Sequence, residues 1–168
     1  MNDPSPISVQ LREGLRRLAK AVVVITCRHE GQRFAMAATA VSELSMDPPS
    51  LLICINRSSS LYAPLSQGAD FRVNILHAGH EEVSAACSGK AKGDQRFAVG
   101  RWAPGDNGCP RLEDAQASFL CRNEQAMDYG THRIVIGRVE EVTIEGDVCP
   151  LVYADGRYLQ LGEPVGAP

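Results

Sequence analysis

At 168 residues the chain has the length of one domain. With 44% hydrophobic and 22% charged residues it also has the composition of an ordinary globular one. Its formal charge of −3, from 17 basic and 20 acidic residues scattered along the sequence, includes no polybasic run, which argues against nucleic acid as a partner. The longest apolar runs, Ala21 to Ile25 and Leu51 to Ile55, are too short to cross a bilayer. The opening Met-Asn-Asp-Pro-Ser-Pro lacks the basic start and apolar stretch of a secretory signal, so the expected compartment is the cytoplasm. Cysteines 27, 54, 87, 109, 121 and 149 form no Cys-x-x-Cys and fall partly inside apolar runs, as buried thiols do. His77 and His80 stand close together without a further ligand pair, so no metal is expected.

Along the chain, apolar residues at 11, 15, 18 and 19 predict a packing helix over Val9 to Ala19. The β-branched Ala21 to Cys27 predicts a strand, His29 to Arg33 a hairpin turn, and Phe34 to Val41 the returning strand. A third strand, Ser50 to Asn56, follows Asp47-Pro48-Pro49. Short helices are expected over Leu61 to Ser66 and Glu81 to Cys87, with a strand over Asp70 to Leu76 between them. The glycine-rich stretch from Gly89 to Pro110 reads as a long loop, and loops of that length in compact domains are usually functional or mobile. Strands over Ala117 to Glu124, His132 to Ile144 and Leu151 to Tyr153 complete the set. Seven or so strands joined mainly by hairpins predict an antiparallel β-barrel with a few short helices, in one domain spanning residues 1–168.

Neither a Rossmann nor a P-loop fingerprint occurs, and there is no Gly-x-Ser-x-Gly elbow. The segment Met36 to Pro49 is the first candidate site: its small side chains let backbone N–H groups approach a flat ligand, and Thr39, Ser42 and Ser45 add hydroxyls. An ordinary strand end with a serine-rich turn fits those residues equally well. Asn56-Arg57-Ser58-Ser59-Ser60 is the second, with Ser60 as a candidate helix cap and Arg57 as a fixed charge for a phosphate; a capped turn with a solvated arginine is the competing reading. Lys90, Lys92 and Arg96 form a smaller basic cluster that reads first as a surface loop.

Met36 to Pro49 resembles the Gly-Met-Thr-Ala-x-Ala-Val-x-Ser-x-Ser-x-x-Pro-Pro segment of the flavin reductase domain family, whose fold is the FMN-binding split barrel. The resemblance continues through Cys54 to Ser60, Phe71 to Leu76, Ser88 to Phe97, Gly130-Thr131-His132 and Pro150 to Tyr158, in the family's order. It is nearest to the short reductase components of two-component aromatic monooxygenases, such as those acting with 4-hydroxyphenylacetate hydroxylases. It implies an antiparallel Greek-key split barrel that passes hydride from NADH or NADPH to FMN or FAD, as a homodimer supplying reduced flavin to a flavin-dependent monooxygenase. On that resemblance Ala38, Thr39, Ala40, Ser42, Glu43, Leu44 and Ser45 lie along the flavin ring. Asn56, Arg57, Ser58, Ser59 and Ser60 hold the ribityl chain and phosphate, Phe71 and Asn74 support the pocket, and Lys92 and Arg96 reach the phosphate or an adenine extension. His132 looks across the flavin towards the nicotinamide, orienting it without obligatory proton transfer, and Tyr158 closes that side. The chain departs from the pattern at Ala35 and Ala37, at Glu43, and at His80 and Cys87. Two alternatives share the fold: an amine oxidase of the pyridoxamine-phosphate oxidase type, whose second phosphate calls for an extra basic cluster not seen in the sequence, and a non-catalytic flavin or haem carrier.

Overall fold

The computed structural model describes residues 5–105 and 107–162. In chain order its elements are α1 (Pro6–Leu15), β1 (Lys20–Ala21), β2 (Val23–His29), β3 (Gln32–Ala38), β4 (Val41–Met46), β5 (Pro49–Asn56), α2 (Tyr62–Ser66), β6 (Phe71–Ile75), α3 (Glu81–Ala85), β7 (Trp102–Ala103), β8 (Arg111–Leu112), β9 (Ala117–Tyr129), β10 (His132–Ile144), β11 (Val152–Ala154) and β12 (Arg157–Leu159). Seven strands form one antiparallel sheet in the order β3-β2-β6-β9-β10-β5-β4. Its two edge strands, β3 and β4, are consecutive in the chain and joined only by Thr39 and Ala40, so the sheet must roll into a barrel.

Alternation along the strands fills the lumen. Val23, Ile25 and Cys27 of β2 meet Ile53 and Ile55 of β5, Phe71 and Val73 of β6, Cys121 of β9 and Val135 of β10. Leu61 and Leu65, from α2 and the residue before it, cap the end near Cys27, Phe71 and Ile55. The opposite end opens into a largely apolar cavity of about 750 Å³ bordered by Val23, Val41, Leu51, Ile75 and Phe119. All six cysteines are unbonded, and burial pushes the Cys27 and Cys121 thiols up to about 12.

A second core lies outside the barrel, where Val22, Val24, Ala35 and Leu76 pack against Val83, Cys87, Phe97 and Leu112. This core orders much of the expected loop: Gly93–Phe97 forms a tight helical turn, β7 pairs with β8, and Trp102 sets its ring edge-on to Phe97 at 5.2 Å. The N-terminal helix also departs from expectation. It begins three residues early, because Ser5 caps it by accepting the Ser8 N–H and Pro6 occupies the first turn. None of its residues is buried, so it is not packed on this chain's core. The segment after Ala40, read as an irregular serine-rich stretch, is a paired strand with Leu44 left out of register.

Candidate active site

A groove runs along the outer face of β3. The strand turns Phe34, Met36 and Ala38 toward the barrel core and Ala35 and Ala37 toward the outer layer. Ala35 is fully covered by the outer layer, but α3 and the turn after it leave the strand partly open at Ala37. Two hollows remain, of about 350 Å³ and about 390 Å³, which lie side by side along β3 and share Ala37 and Ser88 as lining residues. One end is lined by Thr39, Val22 and the pair Tyr153 and Tyr158, whose rings meet edge-on at 5.6 Å. Tyr158 is fixed by a 2.8 Å hydrogen bond between its hydroxyl and Ser84 Oγ.

The other end is built for an anion. Ser58, Ser59 and Ser60 form one wall, Ser88 and Gly89 the other, and Arg96 crosses between them. The guanidinium donates from Nε to the Ala91 carbonyl (3.0 Å) and from Nη1 to the Ala35 carbonyl and to Ser60 Oγ (2.6 Å). Its Nη2 has no partner among the described residues. Ser59 Oγ is buried and also has no partner, an arrangement that costs free energy unless something arrives to bond it. Gly89, at φ +97°, turns the chain where a residue with a side chain would be strained. Among the described residues no aspartate or glutamate lines the groove. Cys87 borders the anion end, but burial pushes its thiol up to about 11 against the pull of Arg96, so it stays neutral.

The profile of the flavin reductase like domain matches residues 15–162. The chain is 40% identical over 153 residues to the FMN reductase (NADH) RutF of Variovorax paradoxus, covering 91% of this chain and 85% of that protein. Among solved structures, nitrilotriacetate monooxygenase component B from Mycobacterium thermoresistibile superposes with a TM-score of 0.87 at 29% identity, over 95% of this chain and 89% of that one. BorF, the flavin reductase component of a bacterial two-component tryptophan halogenase, gives 0.85 at 28% identity, over 94% and 99%. The chain belongs to the flavin reductase like domain family. It is an oxidoreductase, and its barrel is the family's split barrel. The groove fits a flavin on this structure's own terms: an orphaned hydroxyl and a braced guanidinium at a phosphate-sized end, small residues under a flat middle, and aromatic rings beyond.

Of the residues anticipated from sequence, the reductase brings Ala38, Thr39, Ser58, Ser59, Ser60, Arg96 and Tyr158 to this groove. Ser60 does not cap α2, since its hydroxyl accepts from Arg96 instead. Ala40, Ser42 and Glu43 line the apolar cavity at the barrel's open end; Thr39 borders both. Leu44 is exposed on β4, and Ser45 Oγ accepts the Asp47 N–H in the next turn. Asn56 accepts from the N–H and hydroxyl of Ser58, shaping the serine loop without lining it. Arg57 lies over the Tyr62 ring at 5.8 Å, off the groove. Phe71 is in the lumen, and Asn74 is buried between the Val24 carbonyl, the Leu112 N–H and Ser118. Lys92 is exposed beside the turn that carries Arg96. His132 sits at the tip of the β9–β10 hairpin, exposed, its Nδ1 2.9 Å from Thr131 Oγ1. Sequence reasoning passed over Ser84 and Tyr153 and noted Ala37 only as a departure from the family pattern; the only signal for Ser84 is its spacing of four from Ser88.

Proposed function

We propose that the protein takes hydride from NADH, binds the flavin in the groove along β3 with its phosphate at Arg96, and releases reduced flavin to a separate flavin-dependent oxygenase. The observation that carries this reading is the polarity of the groove: one braced guanidinium with an unbonded serine hydroxyl at one end, two tyrosines at the other, and no carboxylate between. Flavin, when bound, supplies the hydride acceptor, and such cofactors ask little covalent chemistry of the protein. The side chains bind and orient. Arg96 and Ser59 fix the phosphate, Ala37 and Ala38 let the ring lie close to the β3 backbone, and Tyr158, held by Ser84, borders the face open to a nicotinamide.

A homodimer is part of the same reading. Ile7, Leu11 and Leu15 of α1, Leu18 after it, and Leu44 and Met46 of β4 are exposed apolar residues, and Leu18 and Met46 border the open end of the barrel. Mixing the protein with NADH and FMN and following the absorbance of reduced nicotinamide tests the activity. No consumption above the protein-free rate with FMN, FAD and riboflavin alike refutes it, and FMN-dependent oxidation of an amine in its place favours the oxidase alternative.

A further inference from the structure

We infer that Arg96 is an end wall as well as a phosphate contact, and that it sets the groove to the length of a flavin mononucleotide, selecting FMN over FAD. The inference rests on the flavin reading of the groove. Along β3 the groove passes over Thr39, Ala38, Ala37 and Met36, and it stops where Arg96 reaches the carbonyl of Ala35. There the side chain spans the channel, bonded to Ala91 on one side and to Ser60 on the other. Two residues further on, the strand is closed a second time: Arg33 holds Asp94 through two hydrogen bonds of 2.9 and 2.6 Å and lies over the Phe97 ring at 4.4 Å. Beyond that lies a separate hollow of about 460 Å³ lined by Arg28, Arg33, Gly93 and Asp94, which shares no lining residue with the groove.

A terminal phosphate and a pyrophosphate meet this wall differently. The phosphate of FMN is a monoester with a charge of about −1.5 to −2 near neutral pH and three free oxygens, enough to engage Arg96 and Ser59 together. The corresponding phosphate of FAD carries one ester and one anhydride link and a single charge, and the anhydride oxygen must continue into the adenylate half. That continuation points at the braced guanidinium, so FAD binds only by displacing Arg96 or by lifting its phosphate out of the groove.

Equilibrium binding of FMN, FAD and riboflavin to the purified protein, by quenching of flavin fluorescence, tests this in the parent, Arg96→Ala and Ser60→Ala. The parent is expected to bind FMN tighter than FAD by roughly tenfold or more, on the scale of one charge-assisted contact. Arg96→Ala should weaken FMN by about tenfold or more, FAD by less than about threefold, and riboflavin not at all, so that the preference collapses. Ser60→Ala removes one anchor of Arg96 from an exposed loop and should narrow the preference in the same direction, which keeps the test alive if Arg96→Ala fails to fold. A parent that binds FAD as tightly as FMN overturns the inference, as does a parallel loss for both flavins in either variant. Failure of all three flavins, riboflavin included, to bind the parent would overturn the flavin reading itself.

Discussion

Replacing Glu141 by alanine should destabilise the barrel by about 3 kcal/mol without touching the groove. Arg72, in the middle of β6, is completely buried, and its charge is answered by Glu141 through contacts of 3.0 and 3.2 Å, with Ser118 Oγ at 3.3 Å. Its Nε is buried without a partner, so the guanidinium has no surplus of hydrogen bonds to fall back on. Removing one member of a buried pair typically costs about 3–5 kcal/mol, because the other charge is left uncompensated. The lower end applies here, since the Glu141 side chain keeps 32% of its exposure and water can enter its place. For a domain of this size that loss corresponds to a fall in melting temperature of about 6–12 °C. The pH dependence adds a second signature. The hydrogen bonds from Arg72 hold the Glu141 carboxyl below the usual glutamate range. Because the folded-state pKa is depressed, this stabilisation is full above the ordinary glutamate range and fades as the pH falls through the lower folded value. Melting curves followed by circular dichroism at neutral pH and down an acid series should therefore show a lower, flatter profile for Glu141→Ala. A variant that melts within about 2 °C of the parent and retains its acid slope would refute the argument.

Three further substitutions have outcomes set by local geometry. Ser59→Ala removes a hydroxyl that is orphaned in the free protein, so the melting temperature should hold or rise while FMN affinity falls by roughly three- to tenfold; titration and melting of the same sample decide it. Gly137→Ala would place a methyl carbon 2.7 Å from both Phe71 Cε1 and Cys121 Cβ, overpacking the lumen at a cost of about 1–3 kcal/mol, visible in a denaturation midpoint. Tyr158→Phe loses only the hydrogen bond to Ser84, so the KM for NADH should rise a few-fold, about 0.5–1.5 kcal/mol, with FMN affinity unchanged in a parallel titration.

How much of this was legible in the sequence depended on burial. Strands with one side in the lumen showed it: the expected strand over His132 to Ile144 coincides with β10, and β2 and β6 lie within a residue or two of their expected bounds. The distal part of β9, from Gln125 to Tyr129, is exposed, so no alternation marked it; pairing with β10 across Gly130 and Thr131 is what makes it a strand. The hairpin of β11 and β12 was half seen, although Asp155-Gly156, both at positive φ, is a strong two-residue turn signal. In the groove the serine loop and Arg96 could be named from sequence. Arg57 was the more conspicuous arginine beside those serines, but the Tyr62 ring, five residues on, draws it away. Which of two arginines faces a cavity is decided by tertiary neighbours, and nothing in residues 56–60 encodes them.

His132 is the residue for which motif and geometry diverge most. Its place in Gly130-Thr131-His132 implies a position beside the nicotinamide, yet it pairs with Asn56, next to the serine loop at the anion end and far along the strands from Tyr158. Both can hold if the imidazole serves the second subunit's groove. His132→Ala should then slow flavin reduction by about 10–100-fold at saturating NADH, with little change in melting temperature because the exposed ring bonds only to its neighbour Thr131. Mixing the two impaired variants at an FMN concentration that leaves Arg96→Ala largely unloaded separates the subunits' contributions. If His132 acts across the interface, dimers reassembled from His132→Ala and Arg96→Ala chains contain one groove with its arginine intact and a histidine from the partner, and they regain activity. If it acts within its own chain, every groove in the mixture lacks one of the two residues. Mixed dimers that stay as slow as the single variants would place His132 with its own chain or remove it from the site.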